Sequence, residues 1–123
     1  MDRSALLQWA LEEFGTEPEY LWASHPSYAV LRNSMGQKWY AAVMDVPREK
    51  MGLPGEGSAE ILNVKCDPLL IGSLRQRPGL LPAYHMNKDR WVSILLDGTV
   101  PEEEVQELIQ FSHELTLSKK KKR

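Results

Sequence analysis

Leu81-Pro82-Ala83-Tyr84-His85-Met86-Asn87-Lys88-Asp89-Arg90-Trp91-Val92-Ser93-Ile94-Leu95-Leu96-Asp97-Gly98 is the stretch whose reading decides the fold. Two apolar runs, Leu81–Met86 and Trp91–Leu96, flank the turn-forming tetrapeptide Asn87-Lys88-Asp89-Arg90, which predicts a β-hairpin. Asp97-Gly98 then stops the strand with residues that tolerate turn backbone. Pro101 opens a helix whose first turn, Glu102-Glu103-Glu104, complements the positive end of the helix dipole. Val105, Leu108, Ile109, Ser112 and Leu115 recur at helical spacing and predict its buried stripe.

Working back from this hairpin, Asp67-Pro68 starts a second helix. The carboxylate caps it, and proline fits the first position because its missing N–H had no partner there. Leu69, Leu70 and Leu74 are its apolar side and Pro78-Gly79 its stop. Ala59–Lys65 reads as a strand that places Lys65 on the same side as Ile61 and Asn63. Asp45–Ser58, with two prolines and three glycines, reads as a long loop. Tyr28–Arg32 and Gln37–Met44 form an earlier hairpin about Asn33-Ser34-Met35-Gly36, with Trp39, Ala41 and Val43 on one face of its second strand. Before it, Leu6, Leu7, Ala10, Leu11 and Phe14 predict a helix over residues 3–14, capped by Asp2 or Ser4 and ended by Gly15. The intervening Thr16–Pro26 is an ordered connection that packs its aromatics.

The order α-β-β-β-α-β-β-α, with consecutive hairpins, predicts an α+β domain. It has an antiparallel sheet of about five strands and helices packed mainly on one face. At 123 residues the chain suits one domain, expected over residues 1–118, followed by a basic, disordered tail at 119–123. That tail, Lys119–Arg123, holds five of the 15 basic residues against 17 acidic ones, so the domain itself is distinctly acidic. A surface built to neutralise many phosphates usually has the opposite sign. No apolar run is long enough to cross a bilayer, so no membrane partner is expected. A single cysteine, Cys66, cannot form an intrachain disulfide, and the cytoplasm is the expected location.

Catalytic and cofactor motifs are missing from the sequence. Cys66 and His85 lack any local signature of a nucleophile and its base. His25, His85, His113 and Cys66 are scattered without the spacing of zinc ligands. Gly52-Leu53-Pro54-Gly55-Glu56-Gly57 lacks the lysine of a phosphate-binding loop. The expectation is a protein that is no enzyme, with neither cofactor nor metal.

Several motifs together resemble the MmcQ/YjbR family. They are Asn63-Val64-Lys65-Cys66-Asp67-Pro68, Tyr84-His85-Met86-Asn87-Lys88, Trp91, Leu96-Asp97-Gly98 and Pro101, with Tyr28–Arg32 and Lys38–Ala41 upstream. The resemblance spans roughly residues 5 to 116. It implies a compact fold related to secretion chaperones and a "double wing" mode of DNA contact, in which hairpins flank the nucleic acid. The candidate nucleic-acid-binding residues are Arg32, Lys65, Tyr84, His85, Asn87, Lys88 and Arg90: cations for phosphates, an aromatic ring for stacking, and polar side chains at a turn. Arg75 and Arg77 could extend the patch. Two other readings stand beside DNA binding. One is an adaptor for a protein or peptide partner, drawing on Tyr20, Trp22, Trp39 and Tyr40; the other is a small-ligand site around Tyr84, His85 and Lys65.

Overall fold

In the computed structural model, which describes residues 1–117, helix α1 (Arg3–Phe14) is followed by strands β1 (Ala29–Arg32) and β2 (Trp39–Pro47). A short 3-10 turn (Arg48–Met51) leads to β3 (Ser58–Lys65), then to helix α2 (Pro68–Leu74). Strands β4 (Leu80–Pro82) and β5 (Trp91–Leu95) precede helix α3 (Glu102–Thr116). The basic tail expected at 119–123 lies outside the described residues. The five strands among them form one open antiparallel sheet in the order β1-β2-β3-β5-β4, so the predicted fold class and element order stand.

Local chemistry sets the helix ends. Asp2 caps α1 by accepting the Ala5 N–H at 2.9 Å, and Gly15 closes it in the left-handed conformation. Asp67 caps α2 by accepting the Leu69 N–H at 2.9 Å, with Pro68 in the first turn. This helix ends at Leu74, before the predicted Pro78-Gly79 stop, and turn-type bonds from Gln76 to Ser73 and from Arg77 to Leu74 fill the interval.

Helices α1, α2 and α3 all contribute to the core on one face of the sheet. Leu6 and Ala10 of α1, Ile71 of α2, and Val105 and Ile109 of α3 meet Ala29, Leu31, Val43, Leu62, Val64, Val92 and Ile94. Thr116 continues the buried stripe of α3, while Leu115, predicted to be buried, is exposed. The opposite face has no α-helix among the described residues. Its apolar residues Val30, Ala42, Met44, Val46, Ile61 and Leu95 pack beneath side chains from three connections: Trp22, Met51 with Leu53, and Tyr84.

Trp39 lies on this second face, against the predicted alternation. The cause is a β-bulge: Leu31 pairs with Ala41 and Arg32 with Trp39, so Tyr40 is an extra residue in β2. One inserted residue reverses the side of everything before it. Tyr40 turns into the helix-side core, fully buried, and donates its hydroxyl to Thr16 Oγ1 at 2.7 Å. Ser112 of α3 supplies the hydrogen bonds at this end of the ladder. Its hydroxyl donates to the Tyr40 carbonyl at 2.6 Å and accepts the Lys65 N–H at 2.9 Å.

The predicted loop over Asp45–Ser58 is shorter than expected. Strand pairing continues to Pro47 opposite Ser58, because Asp45 and Val46 face Glu60 and Ala59 across the ladder. The second hairpin has a longer connection than predicted. Strand β4 ends at Pro82, and Ala83–Arg90 folds back over the helix-free face.

Candidate nucleic-acid interface

A closed ring of hydrogen bonds holds the Ala83–Arg90 connection to the sheet. Asn63 and Ser93 are cross-strand neighbours on β3 and β5 and are fully buried. The Tyr84 N–H donates to Ser93 Oγ at 3.0 Å, the Ser93 hydroxyl donates to Asn63 Oδ1, and Asn63 Nδ2 donates to the Tyr84 carbonyl at 3.0 Å. Each polar group left in the sheet is thereby paired with the chain crossing it, as burial requires. In the sequence, Asn63 stands out only as part of a family-like motif, and Ser93 does not stand out at all.

Beyond Tyr84 the chain enters the left-handed region at His85, with φ 58°. Histidine is one of the few residues found there with any frequency. The imidazole is exposed and lies 4.0 Å from the Tyr84 ring, centroid to centroid. Asn87 builds the turn that follows: its Oδ1 accepts the Asp89 N–H at 2.8 Å and its carbonyl accepts the N–H groups of Arg90 and Trp91. Lys88 and Arg90 are exposed and carry no ion pair among the described residues. Their carbonyls are fixed, that of Lys88 by Arg75 at 3.3 Å and that of Arg90 by the Cys66 N–H at 2.8 Å.

Five of the seven candidate residues, Tyr84, His85, Asn87, Lys88 and Arg90, therefore sit on one connection. Lys65 ends β3 opposite Trp91, on the face bearing Asn63, as its alternation predicts. Arg32 is separate. It lies on the outermost strand, β1, where Glu19 receives its guanidinium Nε at 3.0 and 3.1 Å, and it rests 6.0 Å from the Trp39 ring. Its charge is thus already matched. Arg77 is likewise paired with Glu104.

A cavity of about 400 Å³ opens beside the connection, lined by Trp22, His25, Tyr28, Trp39, Met44, His85 and Met86. Its walls are aromatic and held at steep angles. Trp22 meets Trp39 edge-on at 5.7 Å and 84°, and Tyr28 at 5.7 Å and 72°. The His25 ring stacks on Tyr28 at 4.5 Å. Burial, together with Tyr84 and Asp45 nearby, raises the Tyr28 pKa and keeps its hydroxyl neutral. A second, smaller cavity of about 160 Å³ is lined by Lys50, Met51, Pro82, Ala83, Tyr84 and Lys88. Sequence reasoning missed His25, Met44, Lys50 and Met86, which come from separate segments and carry no common motif. The adaptor reading groups Trp22 and Trp39 with Tyr40 on one surface, but Tyr40 is core.

Cys66 lies in the helix-side core, where burial pushes its thiol up to about 11. His85 lines a cavity on the other face, so the two side chains do not form a pair. Among the described residues no three His, Cys, Asp or Glu side chains are grouped to hold a metal ion. No helix among them is long and apolar enough to cross a membrane.

The comparisons with known proteins agree with the fold. Residues 11–115 match the family model described as YjbR. The Bacillus subtilis (strain 168) protein named "Uncharacterized protein YyaQ" is 43% identical over 116 residues, covering 94% of this chain and 98% of that protein. A Pseudomonas syringae protein solved by crystallography has a TM-score of 0.92 at 42% identity, covering 94% of this chain and 99% of its own. A crystal structure from Deinococcus radiodurans, described by the family domain DUF419, has a TM-score of 0.71 at 28% identity. It covers 94% of this chain and 78% of that one. From its sequence motifs, its sheet order and these relatives, the chain belongs to the MmcQ/YjbR family.

Proposed function

We propose that this protein is a non-enzymatic DNA-binding domain that uses the Ala83–Arg90 connection as its contact element. The observation that carries the reading is the grouping there of His85, Asn87, Lys88 and Arg90, all exposed, on a backbone fixed to the sheet by the Asn63–Ser93 ring. A fixed backbone leaves only the side chains to be ordered on meeting a phosphate or base edge, which favours binding. The acidity of the domain argues for a small contact. Lys88, Arg90 and Lys65 would neutralise few phosphates, so affinity should be modest and steeply dependent on salt.

The test is binding of single-stranded and duplex DNA as a function of salt, for the full chain, for a chain ending at Ser118, and for the K88A/R90A double variant. The shortened chain is expected to retain binding at low salt. The double variant should weaken binding and lower the log–log salt slope by about 0.7 to 0.9 for each phosphate it no longer neutralises. If the shortened chain binds nothing at low salt and K88A/R90A matches the parent, binding through this connection is excluded.

A further inference from the structure

The helix-free face holds two cavities of different chemistry side by side. The larger is lined by aromatic side chains and two imidazoles; the smaller has a lysine at each of two chain connections, Lys50 and Lys88. Tyr84 lines the smaller, His85 lines the larger, and the two rings lie 4.0 Å apart. Among the described residues, neither lining includes a carboxylate. An acid close to the aromatic side, Asp45, is engaged by the Ser27 hydroxyl.

An aromatic slot adjoining a dibasic one suits a flat ring joined to an anion. We infer that the two cavities together bind a single nucleotide unit, its base among Trp22, Trp39 and His85 and its phosphate between Lys50 and Lys88. The proposal rests on the DNA-binding reading for its biological setting and adds to it an unpaired base, since a base still stacked in a duplex cannot enter. Stacking on indoles tolerates any base, because each has a π-face. The His25 and His85 imidazoles can hydrogen-bond a base edge. The two methionines, Met44 and Met86, give the pocket an adaptable wall. The aromatic cavity is within the range of small-molecule sites, roughly 300–1,000 Å³. A larger cavity of about 520 Å³ between α1 and α3 is lined by Glu13, Glu107 and Glu114 and would repel the same ligand.

The same chemistry can arrive as a free mononucleotide or as one nucleotide of a strand, and the experiment separates them. The chain has four tryptophans, two at the cavity and two, Trp9 and Trp91, outside its lining. In the 15N-labelled full chain, adenosine 5′-monophosphate is expected to shift the indole signals of Trp22 and Trp39 while leaving Trp9 and Trp91 in place. Adenosine without phosphate should bind about tenfold more weakly, and K50A/K88A should remove that difference. H85A removes the imidazole and should weaken binding. H85N, which tolerates the left-handed backbone at this position, controls for the strain alanine introduces, and W39L, which also touches the core, serves as a further variant. In parallel, a short single strand is compared with the same strand carrying one abasic position at each site in turn. A loss of about tenfold at one position indicates a strand ligand, and mononucleotide binding with no such loss indicates a free one. If neither ligand moves Trp22 or Trp39, or if K50A/K88A and H85A leave both affinities unchanged, the nucleotide site is refuted. DNA binding that survives every abasic substitution with those indoles unmoved would refute this site alone and spare the contact through Lys88 and Arg90.

Discussion

At the scale of single residues, Ser112 shows how much can depend on one hydroxyl. It completes a helix-to-sheet join by bonding both the Tyr40 carbonyl and the Lys65 N–H. Ser112→Ala leaves both backbone groups without that partner in a buried setting. We expect a loss of about 2 kcal/mol, read as a lower denaturant midpoint at unchanged slope. Ser73→Ala, at an exposed position of α2, should stay within about 0.5 kcal/mol of the parent. Gly79 is a second such point. Its φ is 82°, and an added Cβ would meet Val100 Cγ2 at 2.7 Å and Thr99 at 3.1 Å. Gly79→Ala therefore combines backbone strain with overpacking, and an unfolding titration should show a loss of about 2–3 kcal/mol.

At the scale of elements, α3 carries a pH dependence. His113 stacks on Phe14 at 4.1 Å and meets Tyr40 edge-on, and its pKa is lowered mainly by burial, with Glu114 opposing. The unfolded chain therefore takes up this proton first. Its contribution is full above the ordinary histidine pKa of about 6.5 and declines as pH falls below it. Urea unfolding between pH 7 and 5 should show that decline, and His113→Phe should flatten it. A decline equally steep in the variant would assign the effect to other groups. Most elements were legible because their signals are local: Asp2 and Asp67 cap, Gly15 stops, and periods of two and of three to four residues alternate. The side occupied by Trp39 was not legible, because the bulge at Tyr40 is settled by pairing with β1 rather than by the residues around it. The candidates from Tyr84 to Arg90 lay in one readable stretch, but the aromatic cavity draws Trp22, Trp39 and His85 from three distant segments that only the folded sheet brings together.

At the scale of the whole molecule, the sheet separates two unequal coverings. One is a layer of packed helices; the other is made of connections, held by Tyr84, Trp22, Met51 and Leu53. Segments with fewer apolar contacts open at lower free energy than the global transition. Amides of Ala83–Arg90 are expected to exchange hydrogen through local opening, with rates insensitive to low denaturant. Those at the centre of β2 and β3 should exchange only with global unfolding. Equal protection on both faces would contradict this division. The same division assigns tasks: the helices hold the sheet, and the connections hold its exposed chemistry.

The Asn63–Ser93–Tyr84 ring also bears on the order of assembly. Strands β1, β2 and β3 follow one another in sequence, whereas β5 reaches β3 only after α2 and β4 have been placed. Contacts that close long loops tend to form late on the route to the native state. If the ring closes after the rate-limiting barrier, Asn63→Ala should leave the refolding limb of a chevron nearly unchanged and accelerate unfolding by roughly tenfold per 1.4 kcal/mol of destabilisation. The residence time of the folded domain would then be governed by three hydrogen bonds beneath the segment that carries its exposed cations.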